Sequence, residues 1–322
     1  MNRIAPGGRT PIAPRKRLIR FPWVISVAVV PLYVGAVGRY GRKVLAMLGL
    51  SLLTGFLVDT LAFRLRSDRA PRWSWVIWVV FPLALSAGVP LWLVPIGLSF
   101  GLVFGLHLFG GYGRTLFPTA AVGIVFLALG YSTAFNITTK PFADPDLGFS
   151  RWASQIPLAG TVFADLRKFG DIPITDFLTG RIPGAIGESY GGYLILLGVV
   201  LLIAGFIDWR FVSAVIGGMV TFAWLGAHWF PGQVLPPHNQ LLAGSFLLYL
   251  TVFVPSDPFA LPRTPEGRWA GGLLFAFFTV MLRSFSGFAE GVWFAALLLA
   301  VFSPLIDQLV GEHLYRRPRG SA

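Results

Sequence analysis

The residues Arg181-Ile182-Pro183-Gly184-Ala185-Ile186-Gly187-Glu188-Ser189 stand directly before a long apolar run. A proline, two spaced glycines and then Glu-Ser describe a backbone that turns tightly into a helix start. There Glu188 and Ser189 would meet unpaired amides and the positive end of the helix dipole. Two roles fit this pattern. One is a self-capped helix. The other is a turn in which the backbone at Gly184 and Gly187, with Glu188 and Ser189 beside it, approaches a phosphate or a flavin.

Ionisable residues inside apolar runs are the second group with chemical potential, because charge in hydrocarbon is costly. Asp59 lies late in its run, within Val58-Asp59-Thr60. Glu290 and Asp307 flank the last run, and Asp257 follows Pro255-Ser256. Glu290, Asp307 and Asp257 are expected as caps in the membrane interface. Asp59 is a turn from Arg64 and Arg66, so pairing or snorkelling competes there with an ion site. Asp59 and Glu290 are the positions at which to look for ion coupling. The glycine-rich stretches His107–Arg114 and Ser256–Arg268 read as tight turns. The sequence carries no nucleophile–base pair, metal-ligand cluster or P-loop. With no cysteine, thiolate-held iron–sulfur clusters, disulfides and thiol nucleophiles are excluded. The four scattered histidines do not make a metal set.

The elements that must position these residues follow from composition. Of 322 residues, 55% are hydrophobic and 12% charged, and the mean hydropathy is +0.71. That charge fraction is about half the usual one for a soluble domain. The chain reads as an all-α polytopic membrane protein. The net charge of +12 is carried by residues flanking apolar runs, a pattern of topology and lipid headgroups rather than nucleic acid. The basic, proline-rich N-terminus is expected to precede the first span without signal-peptide cleavage.

Ten spans are expected, at 22–38, 43–63, 73–88, 90–108, 116–137, 190–207, 211–229, 240–255, 269–285 and 289–310. With the N-terminus in the cytoplasm, 17 of the 26 basic residues fall on the cytoplasmic side. Both termini are then cytoplasmic and 138–189 is extracytoplasmic. The implied divisions are a basic tail at 1–21, a five-helix half at 22–137, the segment 138–189, a second half at 190–310 and a basic tail at 311–322. An odd number of spans before the polar segment makes the halves inverted, a pattern that places a site at their interface.

Three stretches resemble the family of the D subunit of the Rnf electron-transport complex and the B subunit of the sodium-pumping NADH:quinone oxidoreductase. Gly180 through Ser189 is similar to its G-x-x-P-G-x-x-G-E-[ST]. Leu108-Phe109-Gly110-Gly111-Tyr112-Gly113, with Phe117, Ala120 and Gly123, is similar to its glycine-rich turn. In the C-terminal third the matching stretches are Ser256-Asp257-Pro258, Thr264 to Trp269, Leu282-Arg283, Glu290-Gly291-Val292 and Ser303 to Asp307. The resemblance implies a bacterial inner-membrane subunit of an oxidoreductase (translocase) complex. It would relay electrons through FMN on the extracytoplasmic side, coupled to Na⁺ or H⁺ movement. Its partners would be other membrane, FMN-binding or iron–sulfur subunits.

The family's tether motif, D-x-x-[ST]-[GS]-A-T, corresponds to Gln155–Thr161 and makes Thr161 the candidate for covalent FMN. Gln155 replaces the Asp, Leu158 the Ser, and Ala-Gly stands for Gly-Ala. Riboflavin or another non-covalent flavin is the alternative cofactor. An ion or small-solute channel without redox work is the alternative function.

Overall fold

The computed structural model describes residues 15–66, 74–135, 174–181, 184–188, 190–242, 245–286 and 290–314. Thr161 and Ser189 lie outside them. Among the described residues the fold is helical throughout, apart from a single antiparallel bridge between Ser86 and Ala185. Among the described residues ten longer helical segments follow one another in the expected order, and four of them are long and apolar enough to cross a membrane. The ten are α1 (Pro22–Tyr40), α2 (Lys43–Leu65), α3 (Trp75–Ala84), α4 (Leu93–His107), α5 (Thr119–Gly130), α6 (Gly191–Ile203), α7 (Trp209–Trp229), α8 (Phe246–Ser256), α9 (Pro265–Phe285) and α10 (Gly291–Glu312).

The lengths are uneven. α2 and α10 span about 33 Å at 1.5 Å per residue, enough for the ~30 Å hydrocarbon core. α3 and α8 reach only about 15 Å, half that thickness. α3 stops short of the expected 73–88 because Leu85 turns extended, with φ −94° and ψ 151°. α8 starts later than the expected 240 because Ser245 takes a left-handed φ of 52°. Such a conformation in a non-glycine residue persists only when its surroundings impose it. Two segments also contain a π-helical stretch: Gly101–His107 ends α4, and Tyr249–Phe253 forms the middle of α8.

Packing repeats in the two halves. α4 packs against α2 and α5, as α9 packs against α7 and α10. α1 lies on α3, as α6 lies on α8, and α5 meets α10 across the halves. Without a hydrophobic drive between helices in lipid, close approach depends on small residues. At Gly123 an added Cβ would stand 2.3 Å from the Gly97 carbonyl oxygen, so α4 and α5 touch backbone to backbone. The faces that remain exposed are apolar. Leu53, Phe56, Leu57 and Leu61 on α2, and Leu196, Val200 and Ile203 on α6, form surfaces suited to acyl chains. The chain is an all-α, multi-pass membrane protein.

Gly123→Leu is expected to separate α4 from α5, since overpacking costs about 1–3 kcal/mol or more. Thermal unfolding in detergent would show a lowered midpoint, and an unchanged midpoint would contradict the close helix contact.

Candidate functional site at the ends of two half-length helices

The turn at 184–188 is held by its own acid. Ile186 donates its N–H to the Leu85 carbonyl at 2.8 Å, and Glu188 donates to the Ala185 carbonyl at 2.9 Å. The Glu188 carboxylate folds back to accept from the Ala185 N–H at 3.3 Å. Its other oxygen accepts from the N–H of Ser245, the residue that opens α8. A Cβ on Gly184 would sit 2.3 Å from the carboxylate, and one on Gly187 would strike Leu248 and Leu83. The two glycines therefore make room for neighbouring side chains, and the amides of Ala185, Ile186 and Glu188 are bonded within the chain. Glu188 thus caps a partner in another span rather than its own helix α6, whose N-cap is Tyr190.

Arg283, in the last turn of α9, is only 2% exposed and interacts with both Glu188 and Glu290. Its guanidinium donates to the Gln240 carbonyl at 2.7 Å. Ser245 and Gln240 are fully enclosed beside it. Glu290 sits immediately before α10, close to Ser245, Arg283 and Trp293. Tyr40, at the end of α1, is buried next to Glu188 and Gly184. Four segments and the 184–188 turn thus converge on one polar cluster at the start of α8.

A second cluster occupies the start of α3. Asp59 of α2, 3% exposed, accepts from the Ser74 hydroxyl and lies 2.7 Å from His107 Nε2. The π-helical end of α4 carries His107 to this position, and Phe63 meets its ring edge-on. The described partners of Asp59 are thus Ser74 and His107, 15 and 48 residues away, in place of the sequence-adjacent arginines. Each half-length helix begins at a serine facing a buried carboxylate, with a basic residue from the end of the next long segment nearby. Of the two expected ion-coupling residues, Glu290 belongs to the same cluster as Glu188, and Asp59 belongs to the corresponding cluster of the other half.

Asp257, at the far end of α8, ties the halves together. It accepts from the Thr115 hydroxyl at 2.9 Å and from the Thr119 N–H and hydroxyl, each at 3.1 Å. It is a cap, as expected, but for α5 of the opposite half. A small pocket beside it is lined by Ile77, Thr119, Tyr249, Phe253 and Trp293. Asp307 fastens the turn before α9, accepting from the Arg263 N–H at 2.8 Å and the Thr264 hydroxyl at 2.7 Å. Among the described residues no group of His, Asp and Glu could hold a metal ion. Sequence reasoning missed Ser74, His107, Gln240, Ser245 and Arg283 as site residues. The signals for them were slight: a serine before each short apolar run, and a basic residue ending an apolar helix.

Gly184→Ala is expected to push the Glu188 carboxylate out of place and lower the unfolding midpoint. In a Glu188→Ala background the same substitution should cost less, with a coupling of about 0.5–3 kcal/mol between the positions. Equal costs in the two backgrounds would show that Gly184 does not serve the carboxylate.

The sequence pattern of the NQR2, RnfD, RnfE family matches residues 11–316. The B subunit of the Na(+)-translocating NADH-quinone reductase of Pseudomonas aeruginosa (strain LESB58) is 30% identical over 282 residues, covering 82% of this chain and 67% of that protein. The B subunit of the Klebsiella pneumoniae reductase is 30% identical over 250 residues, covering 74% of this chain and 59% of that protein. The D subunit of the ion-translocating oxidoreductase complex of Aeromonas hydrophila is 27% identical over 334 residues, covering 94% of this chain and 95% of that protein. With its helical order, its match running through nearly every segment and the Glu188 turn at its centre, the chain belongs to the NQR2, RnfD, RnfE family.

Proposed function

We propose that this chain is the membrane subunit of an electron-transfer complex of the Nqr or Rnf kind, coupling electron flow to Na⁺ or H⁺ movement. It works beside other membrane, FMN-binding or iron–sulfur subunits and is not a self-sufficient enzyme. The observation that carries the ion-coupling part is the pair of buried polar clusters at the starts of α3 and α8. Each helix spans only about half of the hydrocarbon core, so the polar clusters shorten the apolar barrier that an ion would meet. Ionisable side chains within membrane spans are the default markers of ion pathways. In this reading Asp59 and Glu290 are the ion-coupling residues at the two ends. The distribution of basic residues supports cytoplasmic termini, with 138–189 on the other face of the bacterial inner membrane.

For the electron-transfer part, Thr161 supplies a hydroxyl that can carry FMN as a phosphoester. At the end of the same segment Arg181 is two-thirds exposed and only loosely paired with Asp176, at 3.9 Å, so its cation can face a phosphate. The bound flavin would supply one-electron transfer to a neighbouring centre. The chain's own contribution is anchorage. The Ile186 and Ala185 contacts with Leu85 and Ser86 fix the end of the segment to the membrane half.

The absorption spectrum of the purified protein near 450 nm, before and after acid precipitation, separates covalent, bound and absent flavin. Thr161→Ala is expected to abolish in-gel flavin fluorescence, and retained fluorescence would remove Thr161 as the tether. Flavin absent from the wild type would favour the channel or transporter reading instead. In a reconstituted complex, Asp59→Asn is expected to lower ion uptake while electron transfer continues. Unchanged uptake would reduce Asp59 to a structural role.

A further inference from the structure

The turn that joins α1 to α2 carries more positive charge than its surroundings balance. Arg39, Arg42 and Lys43 all lie there. Arg39 is 6% exposed and Lys43 2%, while Arg42 is exposed. The charge on Arg39 is accounted for. Its guanidinium donates to the Thr179 carbonyl at 2.9 Å and lies 5.7 Å from the Tyr190 ring. It acts on Tyr40 together with Glu188. Arg39 and Arg283 therefore stand against Glu188 and Glu290, two cations for two carboxylates. Lys43 is not among the charges that act on either acid. Its Nζ is buried, makes no hydrogen bond and forms no ion pair among the described residues. A buried cation without a partner is costly. Its place in the helix adds to that cost. Lys43 is the first residue of a 24-residue helix, and side chains tilt toward a helix's N-terminus. The ammonium is thus held at the positive end of the dipole, beside first-turn amides that have no partner within the helix.

We propose that this turn binds a phosphate group, with Lys43 as its buried counter-charge, Arg42 at its exposed edge and the first amides of α2 as donors. An anion there answers all three positive features at once. Helix N-termini bearing a basic side chain suit phosphate oxygens. Two sources share this chemistry: a flavin phosphate carried by the polar segment, and the headgroup of an acidic phospholipid. Position favours the first. Arg39 of the same turn holds Thr179 and faces Tyr190, so the end of the polar segment is fastened here. Arg181, two residues past Thr179, adds an exposed cation at that end. The choice of source rests on the flavin part of the reading above, and the phosphate site itself does not.

The test uses the purified full-length Thr161→Ala chain in neutral detergent, dialysed free of loose flavin, so that no tethered flavin fills the site. FMN, riboflavin, dioleoylphosphatidylglycerol and dioleoylphosphatidylcholine are each titrated into thermal unfolding. A ligand that binds only the folded state raises the midpoint in a saturable way. Riboflavin differs from FMN only in lacking the phosphate. The expected result is a saturable rise with FMN and none with riboflavin. In the same background the rise is lost in Lys43→Met, retained in Lys43→Arg, and kept in Arg64→Gln, an exposed cation at the opposite end of α2. Without ligand, Lys43→Met should unfold no earlier than its parent, because it removes an unpaired buried charge. If Lys43→Met fails to fold, quenching of FMN fluorescence by the Thr161→Ala chain decides, with competition by inorganic phosphate expected. A rise with phosphatidylglycerol alone, lost in Lys43→Met, would keep the phosphate site and assign it to lipid. Equal midpoints with all four, or FMN and riboflavin acting alike, would overturn the proposal. Flavin content of the wild type separates the two readings. A wild type without flavin whose Thr161→Ala chain still answers to FMN keeps the site and loses the tether. A flavinated wild type whose Thr161→Ala chain ignores every phosphate keeps the tether and loses the site.

Discussion

The bond between the Glu188 carboxylate and the backbone of Ser245 is the contact on which the arrangement depends. It joins the turn that ends the long polar segment to Ser245, the residue just before α8, 57 positions away. It holds Ser245 in a left-handed conformation and so fixes where α8 can begin. The same carboxylate needs Gly184 beneath it and Arg283 near it. Without the acid, two amides in a dry site would lose their acceptor, at about 1–3 kcal/mol each. One side chain therefore sets the length of a half-helix, the composition of its polar end and the docking of the segment above it.

A membrane protein meets its backbone hydrogen bonds most simply with full-length helices. This chain instead interrupts two of them, at corresponding positions in its two halves. The freed backbone is satisfied inside the protein: the Leu85 carbonyl by Ile186, the Ser245 amide by Glu188 and the start of α5 by Asp257. Each repair comes from the other half or from the turn between the halves. The interruptions therefore bind the halves together while opening polar ends next to short apolar stretches. Between them lie aromatic side chains, with Trp293 edge-on to both Tyr249 and Phe253. In the proposed reading, an ion crossing here would meet short apolar stretches rather than a full bilayer.

The order of the ten helical segments was legible because apolar runs of this length have few other solutions. Their true lengths were not. The run at 73–88 is apolar throughout, and nothing local announces that Leu85 will leave the helix to accept a bond from residue 186. The motif at 180–189 was legible as a tight turn bearing an acid. Its local reading as a helix cap followed from position alone, and a capping carboxylate looks the same in sequence whether it serves its own helix or one far along the chain. Asp59 shows the same limit, since its neighbours in sequence are arginines but its described partners are Ser74 and His107. Arg283 was hidden because a basic residue at a helix end is usually interfacial, whereas here it is buried and bonded to the Gln240 carbonyl.

The docking of the 184–188 turn against the end of α3 is the claim from which the rest follows, and a cysteine-free chain allows it to be tested cleanly. Ser86→Cys and Ala185→Cys, introduced together, place two thiols on opposed residues of the antiparallel bridge, within disulfide reach. After mild oxidation of native membranes, the double variant should resist labelling by a maleimide polymer until a reductant is added, while each single variant labels throughout. Free labelling of the oxidised double variant would mean that the turn does not sit on α3, and the carboxylate cluster built on it would fall with it.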